Sequence, residues 1–254
     1  SRFRILVMGR ANAGKTTILQ RVCNTTDQPE IFNGKGEKVC MLCCFLETKS
    51  TFSYIQRGYH NIEDELVFKS NPGFVFHDSC GFEAGSEEQF DMMKKFVMDR
   101  AKSTKLDERI HAIWFCIPLN ESHRMIMAAE TKFFDNCDTG HVPVIVLATK
   151  ADTLELDAFE QLEDQGLSVD DAVVEKLQKE MTENNVEKLK DWLGKTVFPP
   201  HGYLSLTGMQ NEGADCTPLL TCTTHTLDEE GLQQLLISTQ QSNLELCMEY
   251  AIIK

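Results

Sequence analysis

No part of this 254-residue chain is apolar for more than a handful of consecutive positions, so no segment qualifies as a membrane-spanning helix. The N-terminus lacks a basic stretch followed by an apolar one, and residues 2–8 (RFRILVM) read as a buried strand rather than a secretory leader. Base is scarce: 25 Lys and Arg face 39 Asp and Glu, for a formal net charge of −14. Extended contact with nucleic acid or an anionic membrane is therefore not expected, because phosphate affinity needs a positive footprint. The Cys40–Cys43 pair has no second Cys-x-x-Cys or His pair at zinc-ligand distance. Residues 152–191 hold thirteen carboxylates against four lysines but lack the alternating-ligand loop of an EF-hand. That stretch reads as a solvated helical face. Internal repeats and low-complexity linkers are absent too.

What remains is ordinary globular composition, 42% hydrophobic and 25% charged. Several of the ten cysteines sit in apolar runs such as Ile113–Ile117, as reduced thiols of a cytoplasmic protein do. The chain lacks an initiator Met, and its final residues, Tyr250–Lys254, stop within a helical pattern. It is expected to belong to a longer product.

Apolar strands alternate with amphipathic helical stretches, the pattern of an α/β domain with a largely parallel sheet. Strands are expected at about 3–8, 62–69, 73–78, 110–117, 142–148 and 202–206. Asn71-Pro72-Gly73 makes the second and third a hairpin, hence one antiparallel edge strand on a six-stranded sheet with helices on both faces. Helices are expected from Gly14, from Ser86 to about 103, at 122–137, from Ser168 to Gly194, and from Thr226 to the C-terminus. One domain, 1–254, is expected, with insertions near 25–60, 153–170 and 208–226.

Gly9-Arg-Ala-Asn12-Ala13-Gly14-Lys15-Thr16 lies between the first strand and the first helix. By chance this GxxxxGK[ST] string occurs in roughly one chain of this length in a hundred, and the strand–turn–helix context makes it rarer still. Such a loop turns successive backbone N–H groups toward a polyphosphate at a helix N-terminus. Lys15 would reach β- and γ-phosphate oxygens, and the Thr16 hydroxyl would bind Mg²⁺. Asp78-Ser-Cys-Gly81 follows a strand and ends where α/β sheets bind their ligands. Asp78 can hold the Mg²⁺ shell, while the Gly81 backbone can approach a γ-phosphate. His77, on the same strand, reads as structural. Thr149-Lys150-Ala151-Asp152 follows the strand ending at Ala148. A carboxylate there can accept from guanine N1–H and N2–H, a donor pair adenine lacks. The Lys150 stem can cover the base plane.

In this order and spacing the three motifs resemble the P-loop GTPase superfamily, over most of the chain from Gly9 to about Ser205. The resemblance implies a G domain that binds GTP and GDP with Mg²⁺. It would be a molecular switch that hydrolyses GTP slowly and acts on an effector the sequence does not identify. Thr149 replaces the Asn usual in the fourth motif. Ser205-Leu206-Thr207 is the nearest match to the fifth, whose backbone would contact the base. The nucleotide-binding set is then Gly9, Asn12, Ala13, Gly14, Lys15, Thr16, Thr17, Thr149, Lys150, Asp152, Ser205 and Leu206, with Lys15, Thr16, Asp78 and Gly81 serving catalysis. The place of the water-orienting Gln is Phe82. Hydrophobic replacement there is similar to the translation-factor-related (TRAFAC) GTPases of the Era, MnmE, FeoB, septin and dynamin groupings, which find help through dimerisation or a cation. This implies a homodimer through the nucleotide face, or K⁺ held by Asn12, which reads equally as a turn former. By alignment the switch residue that senses γ-phosphate falls at His60 or Asn61, with Thr48, Thr51 and Ser53 upstream. A septin-like scaffold that binds GTP and scarcely turns over is the rival reading. An ATP-using kinase conflicts with the Thr149–Asp152 motif.

Overall fold

The first apolar run forms β1 (Phe3–Gly9), buried along its whole length. It is the central strand of a computed structural model that describes residues 1–39, 61–79, 87–120, 124–167 and 169–240. Seven strands make one sheet in the order β2-β3-β4-β1-β5-β6-β7. They are β2 (Glu30–Phe32), β3 (Glu65–Phe68), β4 (Asn71–Asp78), β5 (Ala112–Pro118), β6 (Val144–Thr149) and β7 (Gly202–Ser205) around β1. β1 pairs parallel with β4 and with β5, and β5–β6 and β6–β7 are also parallel. β3 is antiparallel to both its neighbours.

The sheet is thus the mostly parallel one expected, with one correction. A seventh strand, β2, pairs outside β3, so the antiparallel strand is one in from the edge. Three residues between the Gln28-Pro29 and Asn33-Gly34 turns are too short to display a period-two pattern. The pairing of Glu30–Phe32 with β3 is what identifies them.

The helices among the described residues are α1 (Lys15–Val22), α2 (Glu87–Lys102), α3 (Ala128–Asn136), α4 (Leu154–Asp164), α5 (Asp171–Leu193), α6 (Thr217–Thr226) and α7 (Glu230–Thr239). Alternate strand residues serve opposite faces, as the pleat requires. Phe3, Ile5, Val7, Trp114 and Leu147 meet α1, α6 and α7 on one face. Leu6, Met8, Phe115 and Val146 meet α2, α3 and α5 on the other. The Trp114 indole N–H donates to the Thr223 hydroxyl at 3.1 Å, which satisfies the one polar atom of a fully buried ring.

Three expected boundaries move. α3 starts at Ala128 rather than near 122, because the Glu130 carboxylate accepts from the Met127 backbone N–H and caps the helix there. α5 is capped by Asp170, whose side chain accepts from Val173 N; Ser168, the expected cap, lies outside the described residues. The helix expected from Thr226 begins at Glu230, since the Thr226 hydroxyl donates back to Cys222 O inside α6. Residues 241–254 lie outside the described ones, as does Ser86. Two of the three expected insertions hold helices, α4 and α6. α4 and α5 share a small cluster of their own, Ala158, Leu162 and Val174. No helix among the described residues is long and apolar enough to cross a membrane.

His77 and His111 bracket the start of β1. His77 Nδ1 lies 3.0 Å from Ile62 O, and its Nε2 faces the Arg4 guanidinium at 3.4 Å. His111 Nδ1 accepts from the Arg4 backbone N–H at 3.0 Å. A guanidinium and a backbone N–H can only donate, so the ring nitrogen facing each must accept and each ring is held neutral. Burial lowers both pKa values to about 4 from 6.5. The unfolded chain therefore binds these protons more readily, and stability is lost as pH falls from 6.5 through 4. Urea unfolding is expected to show a lower midpoint near pH 5 than near neutrality. The His77→Gln/His111→Gln double variant should have a shallower pH slope; an unchanged slope would contradict this assignment.

Candidate functional site

Parallel pairing brings the carboxyl ends of β1, β4, β6 and β7 to one edge of the sheet. Val7 lies opposite Asp78, Gly9 opposite Cys116, and Ala148 opposite Ser205. Adjacent β1 and β4 also send their onward connections in opposite directions across the sheet, to β2 and to β5, and such a point is where open α/β sheets leave a crevice.

The loop from Gly9 to Gly14 turns in this crevice. Gly9 has φ 138°, and a Cβ there would lie 2.3 Å from Cys116 O, so no other residue fits. Asn12 (φ 59°) and Gly14 (φ 83°) supply two further left-handed turns, and Gly14 is the N-cap of α1. No side chain caps α1, so its first N–H groups open toward the loop. Lys15 Nζ donates to Gly9 O at 3.0 Å and Arg10 O at 2.9 Å, and lies 4.0 Å from Asp78 Oδ1. Thr16 sits exposed on the first turn of α1, with Thr17 beside it. The Cys116 thiol beneath Gly9 is pushed up to about 12 by burial, which makes it a packing atom and not a nucleophile.

Three ties hold this loop to the Thr149–Asp152 segment and to the elements around it. The Thr149 hydroxyl, buried, donates to Ala13 O at 2.8 Å. This residue of the expected nucleotide-binding set thus reaches the phosphate loop. Arg10, next to Gly9, is almost wholly buried, and its guanidinium forks onto the buried Glu130 of α3 at 2.7 and 3.0 Å. It also donates to Met125 O. Arg21, in the last turn of α1, donates to Met209 O and Gln210 O.

Lys150 (φ 59°) turns the chain into a short 3₁₀ segment, Ala151–Thr153. There Asp152 accepts from Gly208 N and from the Gln210 side-chain amide, each at 3.1 Å. Leu206 N donates to Ala148 O, while the Leu206 side chain is buried and Ser205 is exposed. The loop after β7 therefore lies against Asp152 as a fifth motif would, but the groups that touch Asp152 belong to Gly208 and Gln210. Sequence reading missed these two, and it missed Arg10, Glu130 and Arg21. The glycine itself at 208, which takes a left-handed φ of 62°, was the available hint, hidden by reading 208–226 as an insertion.

Of the other candidates, Gly81, Phe82 and His60 lie outside the described residues. Asn61 is exposed, and its side chain accepts from Glu63 N within its own turn. Among the described residues no group of three His, Cys, Asp or Glu could hold a metal alone. The donors at hand, the Thr16 hydroxyl and the Asp78 carboxylate, are hard oxygens that suit Mg²⁺ completed by phosphate and water oxygens.

No protein-family model and no curated protein matches this chain. Among solved structures it is similar to an S. thermophilus NFeoB N11A mutant bound to mGDP (14% identity, 89% of this chain and 61% of that one, TM-score 0.43). It is also similar to Era in complex with MgGDPNP and a 16S ribosomal RNA fragment (13%, 89% and 57%, TM-score 0.45). A septin GTPase domain from Chlamydomonas reinhardtii aligns over 64% of this chain and 59% of its own (16%, TM-score 0.33). The chain spans about three-fifths of the length of these solved chains. At such identities and TM-scores, function has to be argued from this chain's own residues.

Arg10→Met alone would strand the Glu130 carboxylate in the interior and is expected to cost about 3–5 kcal/mol in urea unfolding. The Arg10→Met/Glu130→Leu double variant should recover most of that loss. Strictly additive losses would show that the two residues do not act as a pair.

Proposed function

We propose that this chain is a single GTP-binding G domain of the P-loop GTPase superfamily that hydrolyses GTP to GDP and phosphate. The observation that carries the reading is the Thr149–Ala13 hydrogen bond, which joins the base-reading motif directly to the phosphate loop. It fixes the spacing of two sites that must grip the two ends of one nucleotide.

In this reading the α1 amides and the Lys15 ammonium take the phosphates. Lys15 rests on the Gly9 and Arg10 carbonyls, the place from which it can turn to β- and γ-phosphate oxygens. Thr16 and Asp78 would hold Mg²⁺, which neutralises charge developing on the phosphate oxygens. A carboxylate offers about four acceptor directions, so Asp152 can keep Gly208 and Gln210 and still accept from guanine N1–H and N2–H. Lys150 covers the base and Gly81 approaches the γ-phosphate. Water attacks in line, and the chain contributes positioning and electrostatics rather than a covalent step.

Phe82 cannot orient that water, so intrinsic turnover is slow, helped by K⁺ at Asn12 or by a second protomer. The same residue favours a second reading, a GTP-dependent assembly protein with little turnover. Either way the protein would act in the cytoplasm, as a switch for an effector in the first reading and as a scaffold in the second.

Asp152→Asn should lower GTP affinity by about a hundredfold or more, since two hydrogen bonds to a charged acceptor are worth about 1.5–3 kcal/mol each. The preference should move to xanthine nucleotides. Calorimetry that finds guanosine still preferred by that variant would remove Asp152 from the base site. Phosphate release in K⁺ and in Na⁺ separates the readings: turnover supports the GTPase, and none under either cation supports the assembly protein.

A further inference from the structure

On the side of the sheet covered by α3 and α5, a cleft of about 780 Å³ opens between the two helices. Its floor is the half-buried pair Met125 and Ile126, packed on the core of that face. Trp192 at its rim is 58% exposed, and Val197, whose backbone N–H donates to Asp135 at the edge, is 66% exposed. Large apolar side chains left this open at the border of a preformed cleft are the composition of an interface centre, where Trp is enriched. The floor is fixed in place: Arg10 donates to Met125 O, and Glu130 accepts from Met127 N. Little ordering is then left to be done on docking.

Charge selects the occupant. The chain as a whole carries −14, so most of its surface repels a copy of itself. The ionic residues lining this cleft are Lys188 and Lys195 against Asp135 and Asp191, two of each sign. A patch with equal numbers of both signs around an apolar centre can be complementary to itself across a two-fold axis. Of the other exposed large apolar residues, Met92 lies on α2 and Leu106 in the segment after it, while Leu156, Phe159 and Leu167 lie on or just after α4, which carries five carboxylates and no base. Two copies meeting there would repel.

We infer that the α3–α5 cleft, with Trp192 on its rim, is a self-association surface that takes a second copy of this chain. It is distinct from the nucleotide face and does not depend on which nucleotide binds.

Analytical ultracentrifugation of the full chain over two decades of concentration tests this. A monomer–dimer equilibrium is expected, weakened at least about tenfold in Trp192→Ser, because truncating an interface Trp commonly costs 2 kcal/mol or more. The Lys188→Glu/Lys195→Glu variant and the Asp191→Lys variant should each be monomeric alone, since the first makes the patch wholly acidic and the second leaves three bases against the one acid Asp135. Mixed together they should associate again. That rescue also separates a surface effect from misfolding. A wild-type chain that stays monomeric throughout, or a dimer indifferent to all these substitutions, would overturn the proposal.

Discussion

The parallel pairing of β1 with β4 on one side and β5 on the other is the constraint on which the rest of this molecule depends. It buries every residue of β1 and forces Gly9 against the Cys116 carbonyl, where no Cβ can enter. The chain must then turn away at once, and the turn is the phosphate loop. The same register lifts Asp78 to the level of the loop, within 4.0 Å of Lys15. Core packing and site geometry are one requirement here: a strand that slipped along its ladder would lose its core side chains and the placement of Asp78 beside Lys15 together.

Loops at a sheet edge are ordinarily the least ordered part of an α/β domain. In this protein the described loops after β1, β6 and β7 are tied to one another or to a neighbouring helix. Arg10 ties the phosphate loop to α3, Thr149 ties the fourth motif to the same loop, and Arg21 ties the loop after β7 to α1. Gly208 and Gln210 close the circuit at Asp152. Under the proposed function the consequence is preorganisation: groups that would act together on a nucleotide are set before it arrives, and binding need not order them. The Arg10–Glu130 fork reaches further, because Arg10 also holds the floor of the α3–α5 cleft through Met125.

Much of this was legible in the residues themselves. Six of the strands follow from apolar runs, and the phosphate loop, Asp78 and Asp152 from local patterns whose chemistry depends on few residues in fixed order. β2 was not legible, since three residues carry no period and only the edge of β3 makes them a strand. Nor was the start of α3, because Glu130 caps it with a carboxylate that also serves Arg10 more than a hundred residues away in sequence.

The amino-acid order alone thus determined the α/β alternation, the glycine-bent turn after β1, and the acidic residue placed just after β6. Each is a short-range property, written in hydrophobic period, glycine placement and residue type. Only the tertiary structure decided that Thr149 spends its hydroxyl on Ala13, that Gly208 and Gln210 face Asp152, and that Arg10 is buried against Glu130. Those contacts join residues 56 to 136 positions apart, and no local pattern encodes which distant backbone a side chain will meet once the sheet has closed.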